Sequence, residues 1–272
     1  MRRTRVVAVG LLIGLAAPRA AEARRGVRPL FEPTDLELED PGVSEFDLQA
    51  GLIRGQGPWR LVIPDFEIDL GILRNLELVL DVSYALEAPG AGSFKFENAA
   101  PDNLWPALKF GIYDWADEGG GQPLDLSAWA IGGQVGPKIP AAPGSSGVGV
   151  EALLLLGHVQ WKAHFVLNAG VFVDPRPSAT SDRPVGIELG LDFDRDLDAG
   201  GKYQVTGELA GVKFLSSDPN QLLATAGLGW TPIQPYTQIT LVGLVGFLEG
   251  SDKYGLLLGL NQKIGIWGKP RS

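Results

Sequence analysis

From about residue 44 to residue 267 the chain alternates apolar and polar residues in long runs, and a period of two confines it to sheet. The clearest run is Val185 to Asp194. Val185, Ile187, Leu189, Leu191 and Phe193 share one side, and Gly186, Glu188, Gly190, Asp192 and Asp194 share the other, because successive side chains of a strand point to opposite faces. Leu76 to Glu87 repeats the pattern, with Leu76, Leu78, Leu80, Val82, Tyr84 and Leu86 set against Glu77, Asp81, Ser83 and Glu87. Strands of soluble sheets run to about 5 or 6 residues, whereas a strand that crosses a bilayer at a tilt needs about 9 to 11. Both runs are long enough to cross.

Met1 to Ala23 carries Arg2, Arg3 and Arg5, the apolar run Val6 to Ala17 and the small-x-small sequence Ala21-Glu22-Ala23. This is the pattern of a cleavable secretory signal peptide, with an apolar run too short for a membrane helix. No later stretch reaches 18 unbroken apolar residues, so any membrane crossing is made by strands, and strands cross only as a closed barrel. The chain has no cysteine, which excludes a lipoprotein anchor and a disulfide framework. Removing the leader's four arginines and one glutamate takes the net charge from −9 to −12, and so acidic a chain is not expected to bind nucleic acid.

Residues 24–43 are acidic and punctuated by proline (Pro29, Pro33, Glu37, Glu39, Asp40, Pro41), as in an extended periplasmic lead-in. Strands are predicted at about 44–54, 58–72, 75–87, 103–115, 124–136, 147–157, 160–173, 184–195, 202–214, 221–231, 235–248 and 253–267, followed by a tail at 268–272. Short connections such as Arg74-Asn75 alternate with long ones such as Asp174 to Arg183, the asymmetry of periplasmic turns and external loops. Trp59, Trp105, Trp115, Trp161, Trp230 and Trp267 fall at predicted strand ends, where membrane-interface girdles are built, and Trp129 falls mid-strand. Pro64 and Pro106 sit inside strands and predict bulges. The fold expected is all-β, a transmembrane antiparallel β-barrel of 12 strands at 44–267.

Parity along these strands assigns Glu67, Asp69, Glu77, Asp81, Lys109, Glu151, Lys162, Glu188, Asp192, Glu208 and Lys263 to the lumen, together with Asp47, Glu87 and Asp194. Such a wall is first read as a hydrated ladder of acid–base pairs that holds a narrow barrel closed, and second as a cation-preferring or polar-lined conduit. Catalysis finds no footing. His158, read as a turn residue, and His164 have no serine partner on their face, and their spacing of six suits no zinc site. Gly119-Gly120-Gly121 lacks the lysine of a phosphate loop. The expectation is therefore no enzyme, no metal and no cofactor.

The run from Phe66 to Tyr84, followed by Asn103 to Tyr113 and by Asp117-Glu-Gly-Gly-Gly-Gln-Pro123, resembles transporter-like outer-membrane proteins of the phenol-degradation meta-pathway family. Those proteins share a Gly-x-x-x-x-Leu-Glu-Leu hairpin, a Lys-containing strand and an acidic Gly-rich turn. The likeness covers about residues 44–140 and implies a barrel that passes small, often aromatic or hydrophobic compounds, with no catalytic residues. The reading that follows is a monomeric channel or uptake pore in the bacterial outer membrane. Its partners would be outer-membrane lipid, a small-molecule solute and the outer-membrane assembly machinery. A non-conducting scaffold whose loops at Ala88–Asp102 and Pro137–Ser146 bind partners is the first alternative, and an enzyme within the barrel is the second.

Overall fold

The computed structural model describes residues 38–55, 59–88, 99–113, 128–160, 163–177, 183–233 and 237–268. The expected leader lies outside the described residues, as does most of the lead-in. The strands are β1 (Val43–Arg54), β2 (Trp59–Leu73), β3 (Leu76–Ala88), β4 (Ala99–Pro101), β5 (Trp105–Tyr113), β6 (Ala128–Lys138) and β7 (Gly149–Gln160), then β8 (Ala163–Val173), β9 (Val185–Asp196), β10 (Tyr203–Phe214), β11 (Gln221–Ile233), β12 (Thr237–Gly246) and β13 (Tyr254–Gly265).

Each long strand pairs antiparallel with its neighbours in sequence, β3 with β5, and β13 closes on β1 from Val43↔Gly265 to Arg54↔Tyr254. Twelve strands thus form one closed antiparallel barrel, and the short β4 lies on the end of β3 beside Tyr84 to Leu86. Closure follows from the residues. A sheet with an apolar outer face leaves no edge for water to satisfy, so its last strand must pair with its first. Outside, Leu78, Leu154, Leu189, Leu228 and Leu256 are exposed. On the same strands Glu77, Leu155, Asp192 and Leu257 are buried. This period-two contrast separates an apolar outer face from the inside. The end at which β1 begins is called here the near end, and the opposite end the far end.

The twelve long strands agree with the reading of the sequence, the short β4 falls within the stretch Ala88 to Asp102 read as a connection, and the other departures have local causes. Trp129 is the second residue of β6, at the near end and not mid-strand; 53% exposed, it stacks at 4.2 Å on His158, which belongs to β7 and not to a turn. The register shifts between Val62 and Asp65, the irregularity expected beside Pro64. At Pro106 the expected bulge is absent, and the residue pairs in register with Leu80. Proline is accommodated there close to the limit of the β3–β5 ladder, which stops at Asp81↔Trp105 before β4 takes over.

Candidate functional site

The inside of the barrel is the candidate site, and its near end is built partly from the segment before β1. Glu39 is buried, its amide donates to Glu77 Oε2 across 2.6 Å, and its carboxylate accepts from Lys263 Nζ at 2.7 Å. Lys263 also reaches Glu45 at 3.0 Å, and Lys109 stands 3.5 Å from Glu77. Gly71 makes this approach possible, since a Cβ there would lie 2.2 Å from the Glu39 carbonyl oxygen and 2.3 Å from that of Asp40. Gly42 turns the chain into β1 with φ +82°, a conformation glycine adopts without steric cost. Burial acts to raise the Glu39 carboxyl, but the hydrogen bond with Glu45 and the Lys263 ammonium outweigh it and hold the group below its ordinary range.

From the near end inward, the wall from β8 to β12 carries acids with partners. Asn168 Nδ2 donates to Asp192, Gln204 Nε2 donates to Asp194 at 2.7 Å, and Gln204 Oε1 accepts from Gln238 Nε2 at 2.7 Å. His164 Nδ1 lies 3.4 Å from Asp194. Toward the far end, Lys138 bridges Glu151 at 2.6 Å and Asp174 at 2.9 Å and sits over the rings of Phe172 and Trp105 at 5.4 and 6.0 Å. Arg60 pairs with Asp252 in the connection after β12. There burial outweighs the guanidinium and leaves the Asp252 carboxyl raised.

Two apolar clusters also occupy the inside. One consists of Ile53, Leu223, Val242, Leu244 and Leu257, packed against Val62. The other consists of Val79, Trp105, Ala107, Leu153, Leu155 and Val166. The interior is thus not a uniform ring of acid. Charged ladders share it with apolar patches that narrow it.

The residues assigned to the lumen from the sequence lie as follows. Asp69, Glu77, Lys109, Glu151 and Asp192 are buried. Glu67, Asp81, Glu188, Glu208 and Lys263 are half-buried at positions of the same parity, while Lys162 lies outside the described residues. Of the girdle candidates, Trp230 and Trp267 are exposed. Trp59 sits edge-on to Tyr254 at 5.6 Å, with the Arg54 guanidinium 5.7 Å over its ring. Trp115 and Trp161 lie outside the described residues. Trp105 is a correction: it is 3% exposed, on the inner parity of β5, and belongs to the second apolar cluster instead of the girdle. Trp129, with its ring on His158, is the girdle-like residue that strand-end counting missed.

No protein-family model matches the sequence, and no curated protein does. Among solved structures, the chain is similar to an outer membrane channel from Pseudomonas putida F1, with 11% identity over 86% of this chain and 99% of that one and a TM-score of 0.63. It is more loosely similar to the β domain of the Bordetella autotransporter BrkA, at 11% identity, 81% and 98% coverage and a TM-score of 0.44. A porin structure matches at 10% identity, 82% and 100% coverage and a TM-score of 0.40. The first likeness supports the fold, an outer-membrane type of barrel. The resemblance to the phenol-degradation meta-pathway family rests on its motifs alone.

Proposed function

We propose that the chain is an outer-membrane channel for small molecules, with the near end facing the periplasm. The observation that carries this reading is the partial exposure of inward positions at mid-strand. Thr206, Glu208 and Ala210 of β10 and Thr225 and Gly227 of β11 alternate with the outer apolar set, yet they are half-buried and not sealed. Solvent therefore reaches the middle of the barrel along this wall. The solved channel from Pseudomonas putida F1 has a similar fold and is described as an outer membrane channel. The motif likeness extends the proposed solutes to hydrophobic or aromatic compounds, for which the two inner apolar clusters offer contact.

A non-conducting barrel is the second reading, and the same two clusters together with the buried ion pairs at both ends favour it, since they fill cross-section. Purified full chain reconstituted in liposomes separates the two. A channel gives swelling rates that fall with solute size and step conductances in planar bilayers. Correctly folded protein that passes neither solute nor ions refutes the channel.

A further inference from the structure

The far rim of the outer face carries cations that the barrel's own acids do not engage. Where β1 ends, register sets Arg54 between Trp59 of β2 and Tyr254 of β13. All three lie on the outer parity, the one that exposes Leu52 on β1 and Leu256 and Leu258 on β13. The Arg54 guanidinium stands 5.7 Å over the Trp59 ring, and Trp59 meets Tyr254 edge-on at 5.6 Å. Lys253 is exposed, precedes Tyr254 and donates its amide to the Arg54 carbonyl at 2.7 Å, so a second cationic residue stands at the same corner.

Inside the barrel the cations meet acids: Arg60 meets Asp252, Lys109 meets Glu77, Lys138 meets Glu151 and Asp174, and Lys263 meets Glu39 and Glu45. Among the described residues, Arg54 and Lys253 form no ion pair. A cation on the lipid side of a barrel is tolerated near the rim, where polar headgroups begin, and Trp and Tyr mark that depth. A guanidinium offers phosphate two parallel donors in a fixed fork, and stacking on Trp59 restrains that fork before any ligand arrives. From this corner toward mid-barrel the outer face is Leu52 paired with Leu256, then Leu258, with Gly243 beside Leu256. Such an apolar strip accepts an acyl chain. Phosphate at the corner and hydrocarbon on the strip are the two ends of one kind of molecule.

We infer that Arg54, Lys253, Trp59 and Tyr254 form a binding site for the headgroup phosphate of a membrane lipid, with an acyl chain laid along Leu52 and Leu256. The site belongs to the outer face of the barrel and is independent of conduction through the interior.

Native mass spectrometry of the full chain, released from zwitterionic micelles after titration with dioleoyl phosphatidic acid, tests it. One phosphatidic acid is expected to stay bound, well above the retention of dioleoylglycerol, which has the same chains and no phosphate. Arg54→Gln and, separately, Lys253→Gln should each weaken binding about fivefold, the attraction of one basic residue for an anionic lipid at the surface. Arg54→Lys keeps the charge without the fork and should fall between Arg54→Gln and the unaltered chain. Lys213→Gln removes an exposed cation of the same outer parity toward the same end, three strands from β13 on β10, and should leave binding unchanged. Heat-modifiable gel mobility certifies that each variant is folded. Equal retention of dioleoylglycerol overturns the site. An equal loss in Lys213→Gln does so too, because the attraction would then be diffuse and not local. Displacement of the lipid by millimolar inorganic phosphate also overturns it, since the acyl strip would then contribute nothing.

Discussion

The Lys263 ammonium donates to Glu39 across 2.7 Å, joining the last strand of the barrel to the segment that precedes the first. The same ammonium reaches Glu45 on β1 at 3.0 Å, so one cation holds two acids. Lys263→Met would leave Glu39 buried beside Glu45 without its main counter-charge. Breaking a buried pair in this way costs about 3 kcal/mol. The expected result is faster hydrogen exchange at the Gly42 and Val43 amides, which donate to Gly71 and Asp40. Glu39 and Lys263 mutated together to Gln and Met should recover part of the loss. Unchanged exchange in Lys263→Met would show that the pair does not hold the segment.

Acid should release the same segment. The groups around Glu39 are Glu45, Lys263 and Lys109, with Glu77 accepting its amide. Although burial acts to raise its carboxyl, Glu45 and Lys263 prevail and hold it below the ordinary range. The folded form therefore takes up a proton less readily than the unfolded form. Its contribution is complete above about pH 4.3 and is lost as pH falls through the lower folded value. Exchange at Gly42, corrected for intrinsic rate, should stay flat from about pH 8 to pH 5 and rise below about pH 4. A rise already near neutral pH would contradict this assignment.

Much of the barrel could be read from the sequence because a period of two maps directly onto inside and outside. Glu77, Asp81, Glu188 and Asp192 alternate with leucines and isoleucines, and all lie on the inner parity. What could not be read has three physical causes. The register shift between Val62 and Asp65 resets parity, so the inner set Asp65, Glu67 and Asp69 gives way to Arg60 and Val62 at the start of β2, which simple alternation misses. Leu153 to Leu156 is an unbroken leucine run with no alternation to follow. Such a run does signal a strand buried on both sides, and Leu153 and Leu155 indeed pack inside. Glu39 lies in a segment whose acidic composition says nothing of Lys263, 224 residues away.

The outer face can be tested at neighbouring residues. Leu189 is 58% exposed on β9, and Glu188 lies on the opposite side, where its Oε1 would be 2.8 Å from a Cβ added at Gly170. Leu189→Arg should cost about 2 to 4 kcal/mol at midplane depth. Glu188→Gln keeps the shape and should fold with ordinary yield. Folding yield into lipid vesicles measures both, and the opposite order would invert the assignment of faces.

The inner apolar clusters give the last prediction, because in the channel proposed above they would set the width of the passage. Leu155 is fully buried among Val79, Trp105, Ala107, Leu153 and Val166, whereas Leu154, its neighbour in sequence, is 55% exposed on the outside. Leu155→Ala removes packing and leaves a void, a change that costs about 2 to 5 kcal/mol. Because that void opens toward the lumen, single-channel conductance should rise even as denaturant resistance falls. Leu154→Ala trims an exposed side chain on the outer face, so it should cost less and leave conductance where it was. The paired measurement is unfolding in micelles alongside planar-bilayer recording. If Leu154→Ala alters conductance and Leu155→Ala does not, the cluster lies off the path and the passage runs solely along the half-buried wall of β10 and β11.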